Sequence, residues 1–207
     1  MQRIEDYFKL HSGRIFILGN GQSLIEHDLS RLDPIETITI NRAWKMKPGA
    51  LYHCCSGDLR GIREEPQNIF FLGQESQYPQ VPVSCPVVLV QTRILGAKFH
   101  PPTKKLDVPP ALDLRLGWPP THCGLFAIFG AWWLGFEEIY LLGYDGYGGH
   151  YTKKDWDLII PEEKVKEEFR SYIRLFQEET NYKVEIYNCN LNNAYKNLPF
   201  KDFCEVT

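Results

Sequence analysis

The sequence predicts an α/β fold of Rossmann type, a mostly parallel sheet with helices on both faces and a short lid loop. Three observations predict it. Runs that are apolar on both faces recur along the chain, as strands buried in a parallel sheet do. Helical segments stand between several of these runs. The first run, Arg14-Ile15-Phe16-Ile17-Leu18, passes through Gly19-Asn20-Gly21 into what reads as a helix beginning at Gln22 or Ser23.

Taken in order, the strand-like runs are 14–18, 36–40, 50–54, 68–72, 86–91, 138–142 and 183–187. Helices are predicted over 22–32, 121–134, 162–179 and 191–197. Asp33-Pro34 stops the first. Gly135 closes the second, an almost wholly apolar run that belongs in the centre of the molecule. Its Trp132 and Trp133 therefore read as core residues. Pro161 and Glu162-Glu163 open the third, whose Val165, Phe169, Tyr172, Ile173 and Phe176 keep helical spacing. Residues 100–120, with six prolines, read as irregular, and residues 144–161 as a lid-like binding loop. The 207 residues fit a single nucleotide-binding α/β domain spanning 1–207.

Composition excludes several classes. A net charge of −3 gives no global signature for nucleic acid. No apolar run approaches the roughly 18 residues of a membrane span, and the first residues lack a signal-peptide core, so a cytoplasmic location is expected. The six cysteines show no C-x-x-C pair, so reduced thiols are expected. His53, Cys54 and Cys55 are too crowded in sequence for tetrahedral zinc, and no metal site is assigned.

The chemistry-bearing residues fall at strand ends. Gly19-Asn20-Gly21 with Ser23 reads as a phosphate cradle, because glycines admit close backbone approach and a helix start presents N–H groups. A plain tight turn is the competing reading. Asn41 and Arg42 follow the second run, where an amide and a guanidinium suit a ribose, base or phosphate. Ser56-Gly57-Asp58 follows the third. Cys123 and Gly124 stand at the start of the central helix, beside His122, as a second anion cradle. Gly143-Tyr144-Asp145 ends the sixth run at the cleft.

Three of these motifs together resemble a known family. Gly19-Asn20-Gly21-x-Ser23-Leu24, Asn41, and the stretch from Gly135-Phe136-Glu137-Glu138 to Gly143-Tyr144-Asp145 look like the bacterial sialyltransferases that use CMP-sialic acid. Lys183-Val184-Glu185-Ile186-Tyr187-Asn188-Cys189-Asn190 resembles that family's last strand and ribose-side turn. Similar patterns occur in motility accessory factors, in archaeal hydroxymethyl-dihydropterin diphosphokinases and in phage proteins. The resemblance implies that Asn20 and Asn41 contact the nucleotide and that Cys123 and Gly124 meet the donor. It implies Tyr147 and Tyr151 as stabilisers of the leaving phosphate and His150 as the base on the acceptor hydroxyl. The chain departs from the family in Gln22 for proline, in Arg42 for glutamine, in Cys123 for a hydroxyl residue, and in a shorter lid. The charge of Arg42 favours a diphosphate donor as a hypothesis.

Three functions are expected from these residues. The first is a metal-independent glycosyltransferase that moves a sugar from a CMP- or UDP-sugar to a hydroxyl on a glycan or on modified DNA. The second is a diphosphokinase that would need Mg²⁺ at Asp145 and Asp58. The third is a non-catalytic nucleotide-binding protein. No cofactor beyond the donor is expected for the first, and the resemblance to tetrameric enzymes admits a homo-oligomer.

Overall fold

The computed structural model describes residues 4–55, 69–72, 87–89, 114, 123–146, 162–193, 195 and 197–207. Among them, seven strands form one sheet: β1 (Arg14–Leu18), β2 (Thr37–Ile40), β3 (Tyr52–Cys55), β4 (Ile69–Leu72), β5 (Val87–Leu89), β6 (Glu138–Leu142) and β7 (Glu185–Asn188). Every neighbouring pair is parallel. The spatial order is β5-β4-β3-β2-β1-β6-β7. Each strand lies within two residues of an apolar run read from sequence.

The order fixes where the chain reverses. From β1 it builds outward on one side through β2 to β5, then returns to lay β6 and β7 on the other side. β1 and β6 therefore flank the topological switch point, where α/β sheets open a crevice at the carboxyl ends of the strands.

Both faces of the sheet carry helical elements. On one face α1 (Cys123–Leu134) lies against β1, β2 and β3, and α2 (Glu162–Glu179) packs beside it. α1 buries Leu125, Phe126, Ile128, Phe129 and Trp133, so the core surrounds it on almost every side. α2 presents a stripe of Phe169, Ile173 and Phe176, with Tyr172 partly buried beside it, to that core, and Phe129 and Phe176 stack at 5.0 Å between ring centroids. Trp133 is core, as expected, and its Nε1–H donates to the Ile4 carbonyl at 2.8 Å.

The amino-terminal segment closes the far end of α1. Lys9 N–H donates to the Trp133 carbonyl and His11 N–H to the Leu134 carbonyl, each at 2.8 Å. These bonds satisfy helix-end acceptors that would otherwise be orphaned. Gly135 follows at φ +111°, and a Cβ there would lie 2.2 Å from the His11 carbonyl oxygen. Only glycine serves at such a position.

The opposite face is covered by shorter pieces. Phe16, Tyr140 and Tyr187 stack across three strands at centroid distances of 4.9 and 5.2 Å. Leu24, Leu29, Leu32 and Phe203 close over this face. Phe203 belongs to α3 (Phe203–Val206), a turn capped by Asp202, whose carboxylate accepts from Cys204 N–H at 2.8 Å.

Two expected helices are corrected. Residues 22–32 form two 3-10 turns, Gln22–Glu26 and Leu29–Leu32. His27 between them is extended, at φ −101° and ψ 139°, and Asp28 accepts from Ser30 N–H at 3.1 Å to start the second turn. A short side-chain acceptor competes with helical bonding in this way. Residues 191–197 hold no helix among the described residues. There the asparagine side chains take the backbone partners instead, Asn188 accepting from Asn190 N–H and Asn190 from Asn192 N–H, each at 2.9 Å. The expected irregular stretch 100–120, apart from Leu114, lies outside the described residues, as does the lid-like loop beyond Gly146. Cys54, Cys123 and Cys189 are buried thiols and Cys204 an exposed one. No described helix is long and apolar enough to cross a membrane.

Candidate functional site

Five chain segments converge on the crevice at the switch point. The turn after β1 carries Gly19, Asn20, Gly21 and Ser23. The turn after β2 carries Asn41 and Arg42. The amino end of α1 carries Cys123 and Gly124, the end of β6 carries Tyr144 and Asp145, and the turn after β7 carries Asn190. Leu18 pairs with Thr39, so the turns after β1 and β2 leave neighbouring strands at the same edge of the sheet.

The glycines answer to the protein before any ligand. Gly19 N–H donates to the Leu142 carbonyl at 2.7 Å, and Gly21 N–H to the Gly143 carbonyl at 2.8 Å. The β1–β6 pairing therefore continues past both strands. A Cβ on Gly19 would lie 2.6 Å from the Gly143 carbonyl oxygen. On Gly21 it would lie 2.5 Å from that oxygen and 2.6 Å from the Asp145 carboxylate. Gly143, at φ +67°, returns the approach with 2.9 Å to the Gly19 carbonyl oxygen.

Asp145 is only 4% exposed, and both of its oxygens are engaged by the protein. Oδ2 accepts from Ser23 N–H at 2.9 Å. Oδ1 accepts from the Ser23 hydroxyl and from Asn190 Nδ2, the latter at 2.8 Å. The expected phosphate cradle thus holds an internal carboxylate on the Ser23 N–H. The element it opens is a five-residue 3-10 turn rather than a helix.

Asn20 stands apart from this network. It is 9% exposed, and its Oδ1 is buried without a hydrogen-bond partner. Trp44 Nε1, His27 Nε2 and Asn193 Oδ1 are in the same condition. Asn20 is the one of these in the turn directly after β1. Buried polar atoms are nearly always bonded, so an orphaned acceptor beside a crevice marks a place where a donor is wanted.

The amino end of α1 is tied to its neighbours through side chains. Cys123 Sγ donates to Asn41 Oδ1 at 3.3 Å. Asn41 is held at φ +49°, a left-handed conformation that asparagine tolerates better than most residues. The Tyr144 hydroxyl donates to the Gly124 carbonyl at 3.0 Å, and burial pushes its pKa well above the usual phenol range. The Tyr144 carbonyl in turn accepts from Asn188 Nδ2 at 3.1 Å.

The structure thus brings Gly19, Asn20, Gly21, Ser23, Asn41, Arg42, Cys123, Gly124 and Asp145 to one edge of the sheet. His150, Tyr147 and Tyr151, expected as base and phosphate stabilisers, lie outside the described residues, as do Asp58 and His122. His53 is buried in β3, with Nδ1 2.8 Å from Thr39 Oγ1, and burial lowers its pKa to about 3. His11 stands on the amino-terminal segment, its Nε2 2.7 Å from the Tyr52 hydroxyl. The sequence places Tyr144 at the cleft and Asn188 and Asn190 in the ribose-side turn by resemblance, but gives none of the three an individual role. The Asn188-x-Asn190 spacing at the end of β7 is the signal for one, since such residues cap local turns.

Solved structures share this architecture. The sialyltransferase CstII from Campylobacter jejuni, in complex with the substrate analogue CMP-3FNeuAc, superposes with a TM-score of 0.52 at 15% identity, over 91% of this chain and 84% of that one. CST-II in complex with a trisaccharide acceptor and CMP gives 0.52 at 16% identity, over 90% of this chain and 85% of that one. The MAf glycosyltransferase from Magnetospirillum magneticum AMB-1 gives 0.61 at 14% identity, over 96% of this chain and 37% of that one. The chain has the fold of these glycosyltransferases. No protein-family model matches the sequence, and no curated protein matches it.

Proposed function

We propose that this chain, as one nucleotide-binding α/β domain, is a glycosyltransferase that moves a sugar from a nucleotide-sugar donor to a hydroxyl acceptor. The observation that carries it is Asn20, whose Oδ1 is a buried acceptor without a partner at the switch-point crevice. A ribose hydroxyl or a base amino group supplies the missing donor. Asn41 follows the neighbouring strand and accepts from Cys123 Sγ, and the N–H groups at Cys123 and Gly124 serve the donor's phosphate end in this reading. The fold is shared with sialyltransferases solved with CMP and with the substrate analogue CMP-3FNeuAc, which supports a nucleotide sugar as donor; a CMP- or UDP-sugar is the reading put forward.

In this mechanism His150 removes the proton from the acceptor hydroxyl as the glycosidic bond forms. Tyr147 and Tyr151 donate to the departing phosphate, whose charge grows as the bond to the sugar breaks. No resident metal takes part in this scheme. The diphosphokinase alternative asks Asp145 to hold Mg²⁺, yet both of its oxygens are engaged by Ser23 and Asn190. The favoured acceptor is a glycan, and the setting is cytoplasmic.

The test is a transfer assay with CMP-, UDP- and GDP-sugars against hydroxyl acceptors. His150→Ala should abolish transfer and leave nucleotide affinity within about twofold. Binding without turnover by the unaltered protein would instead assign the non-catalytic role.

A further inference from the structure

A glycine turn that opens a helical turn presents backbone N–H groups to an anion. In this chain the seat is filled from within. We infer that Asp145 is a positioning residue, an internal anion that bolts the Gly19–Ser23 turn in the shape that presents Asn20 to the crevice. Three observations converge on it. Ser23 N–H donates to Asp145 Oδ2 at 2.9 Å, and the Ser23 hydroxyl donates to Oδ1. Asn190 Nδ2 donates to the same Oδ1 at 2.8 Å. The bare α-carbon of Gly21 admits the carboxylate, since a Cβ there would sit 2.6 Å from Oδ2.

The bolt joins three turns that are distant in sequence. Asn190 is itself oriented, its N–H donating to Asn188 Oδ1 and its Oδ1 accepting from Asn192 N–H, both at 2.9 Å. Asp145 therefore links the turns after β1, β6 and β7. It also puts a negative charge where a cradled phosphate would lie. Donor phosphate is thereby directed away from the Ser23 N–H, and the nucleoside part of the donor lies towards Asn20. This last step rests on the nucleotide reading above; the bolt itself does not.

The test uses Asp145→Ala with two readouts. The first is hydrogen exchange at the Gly21 and Ser23 amides without nucleotide. The second is the affinity for CMP and UDP. Removing the carboxylate should speed exchange at Ser23 by at least tenfold and weaken nucleotide binding by about tenfold, the loss of the Asn20 hydrogen bond that it positions. Added formate should restore both, and chloride at equal ionic strength should restore neither. Unchanged exchange in a folded Asp145→Ala protein would overturn the bolt, and so would rapid exchange that formate leaves unrestored. Lost affinity with normal exchange would make Asp145 a ligand contact and overturn it too. If Asp145→Ala does not fold, the pair Asp145→Asn and Asp145→Asn/Asn190→Asp decides. The single change sets two amide donors against each other, and the double change should recover slow exchange at Ser23. Failure of recovery overturns the bolt. If no nucleotide binds the unaltered protein, the proposed function fails while the exchange readout still judges the bolt.

Discussion

Gly21→Ala separates a glycine needed for close approach from one needed for conformation. Gly21 sits at φ −64° and ψ 157°, which any residue can adopt. Its requirement is therefore steric: the added Cβ would meet the Gly143 carbonyl oxygen at 2.5 Å and the Asp145 carboxylate at 2.6 Å. The turn or the β6 end must retreat by close to 1 Å to restore ordinary contact, roughly the overpacking that costs about 1–3 kcal/mol. Retreat also stretches the 2.8 Å bond from Gly21 N–H to Gly143 and the 2.9 Å bond from Ser23 N–H to Asp145. A neutral bond of this kind contributes about 1 kcal/mol and one to a charged group about 1.5–3 kcal/mol. Together the loss is about 3.5–7 kcal/mol against a total stability of about 5–15 kcal/mol. In a chain of this size that lowers Tm by roughly 10 °C or more. Urea denaturation followed by circular dichroism measures it. Gly130→Ala is the control, since nothing lies within 4 Å of its Cβ and it stands inside α1. Alanine there should stabilise by about 1 kcal/mol. A Gly21→Ala protein within about 0.5 kcal/mol of the parent, the range of an ordinary surface change, would refute the close-approach reasoning.

Gly135→Ala should destabilise by more than about 3 kcal/mol, because left-handed strain adds to a 2.2 Å clash with the His11 carbonyl oxygen. Exchange at the Lys9 and His11 amides should accelerate with it. His53 gives a pH dependence: folded, burial holds its pKa near 3, while the unfolded side chain titrates at its ordinary 6.5. The unfolded chain then binds the extra proton as pH falls from about 6.5 towards 3, and stability declines by up to about 1.4 kcal/mol per pH unit. His27, also lowered by burial, acts in the same direction. Urea midpoints from pH 7.5 to 4.5 should fall, and His53→Gln should flatten the profile. Tyr144→Phe removes the donor to the Gly124 carbonyl and should cost about 1 kcal/mol by thermal unfolding.

The sheet was legible because parallel strands are apolar on both faces and short, and runs such as 14–18 and 138–142 carry that signal alone. The two long helices were legible from opposite signals, α1 from an unbroken apolar run closed by Gly135 and α2 from a clean amphipathic stripe. Residues 22–32 misled because their apolar spacing imitates a helix, while the bond from Ser30 N–H to Asp28 that breaks it is a choice between two local partners. Residues 191–197 misled for the same reason, through Asn188 and Asn190. The site was legible as a set of strand ends but not as a geometry. Gly19 and Gly21 read as space for a ligand, and what the sequence does not show is that they also make room for Gly143 and Asp145, more than 120 residues away in sequence. Only the strand order places those segments side by side.

The central claim is that the switch-point crevice binds a nucleotide through the orphaned acceptor of Asn20. Isothermal titration of CMP and UDP into the unaltered protein and into Asn20→Ala tests it most directly. The account predicts saturable one-to-one binding of at least one nucleotide, weakened about tenfold or more in Asn20→Ala, the loss expected from about 1.4 kcal/mol of hydrogen bonding. Absence of binding to the unaltered protein, or equal affinity in the two proteins, would contradict it.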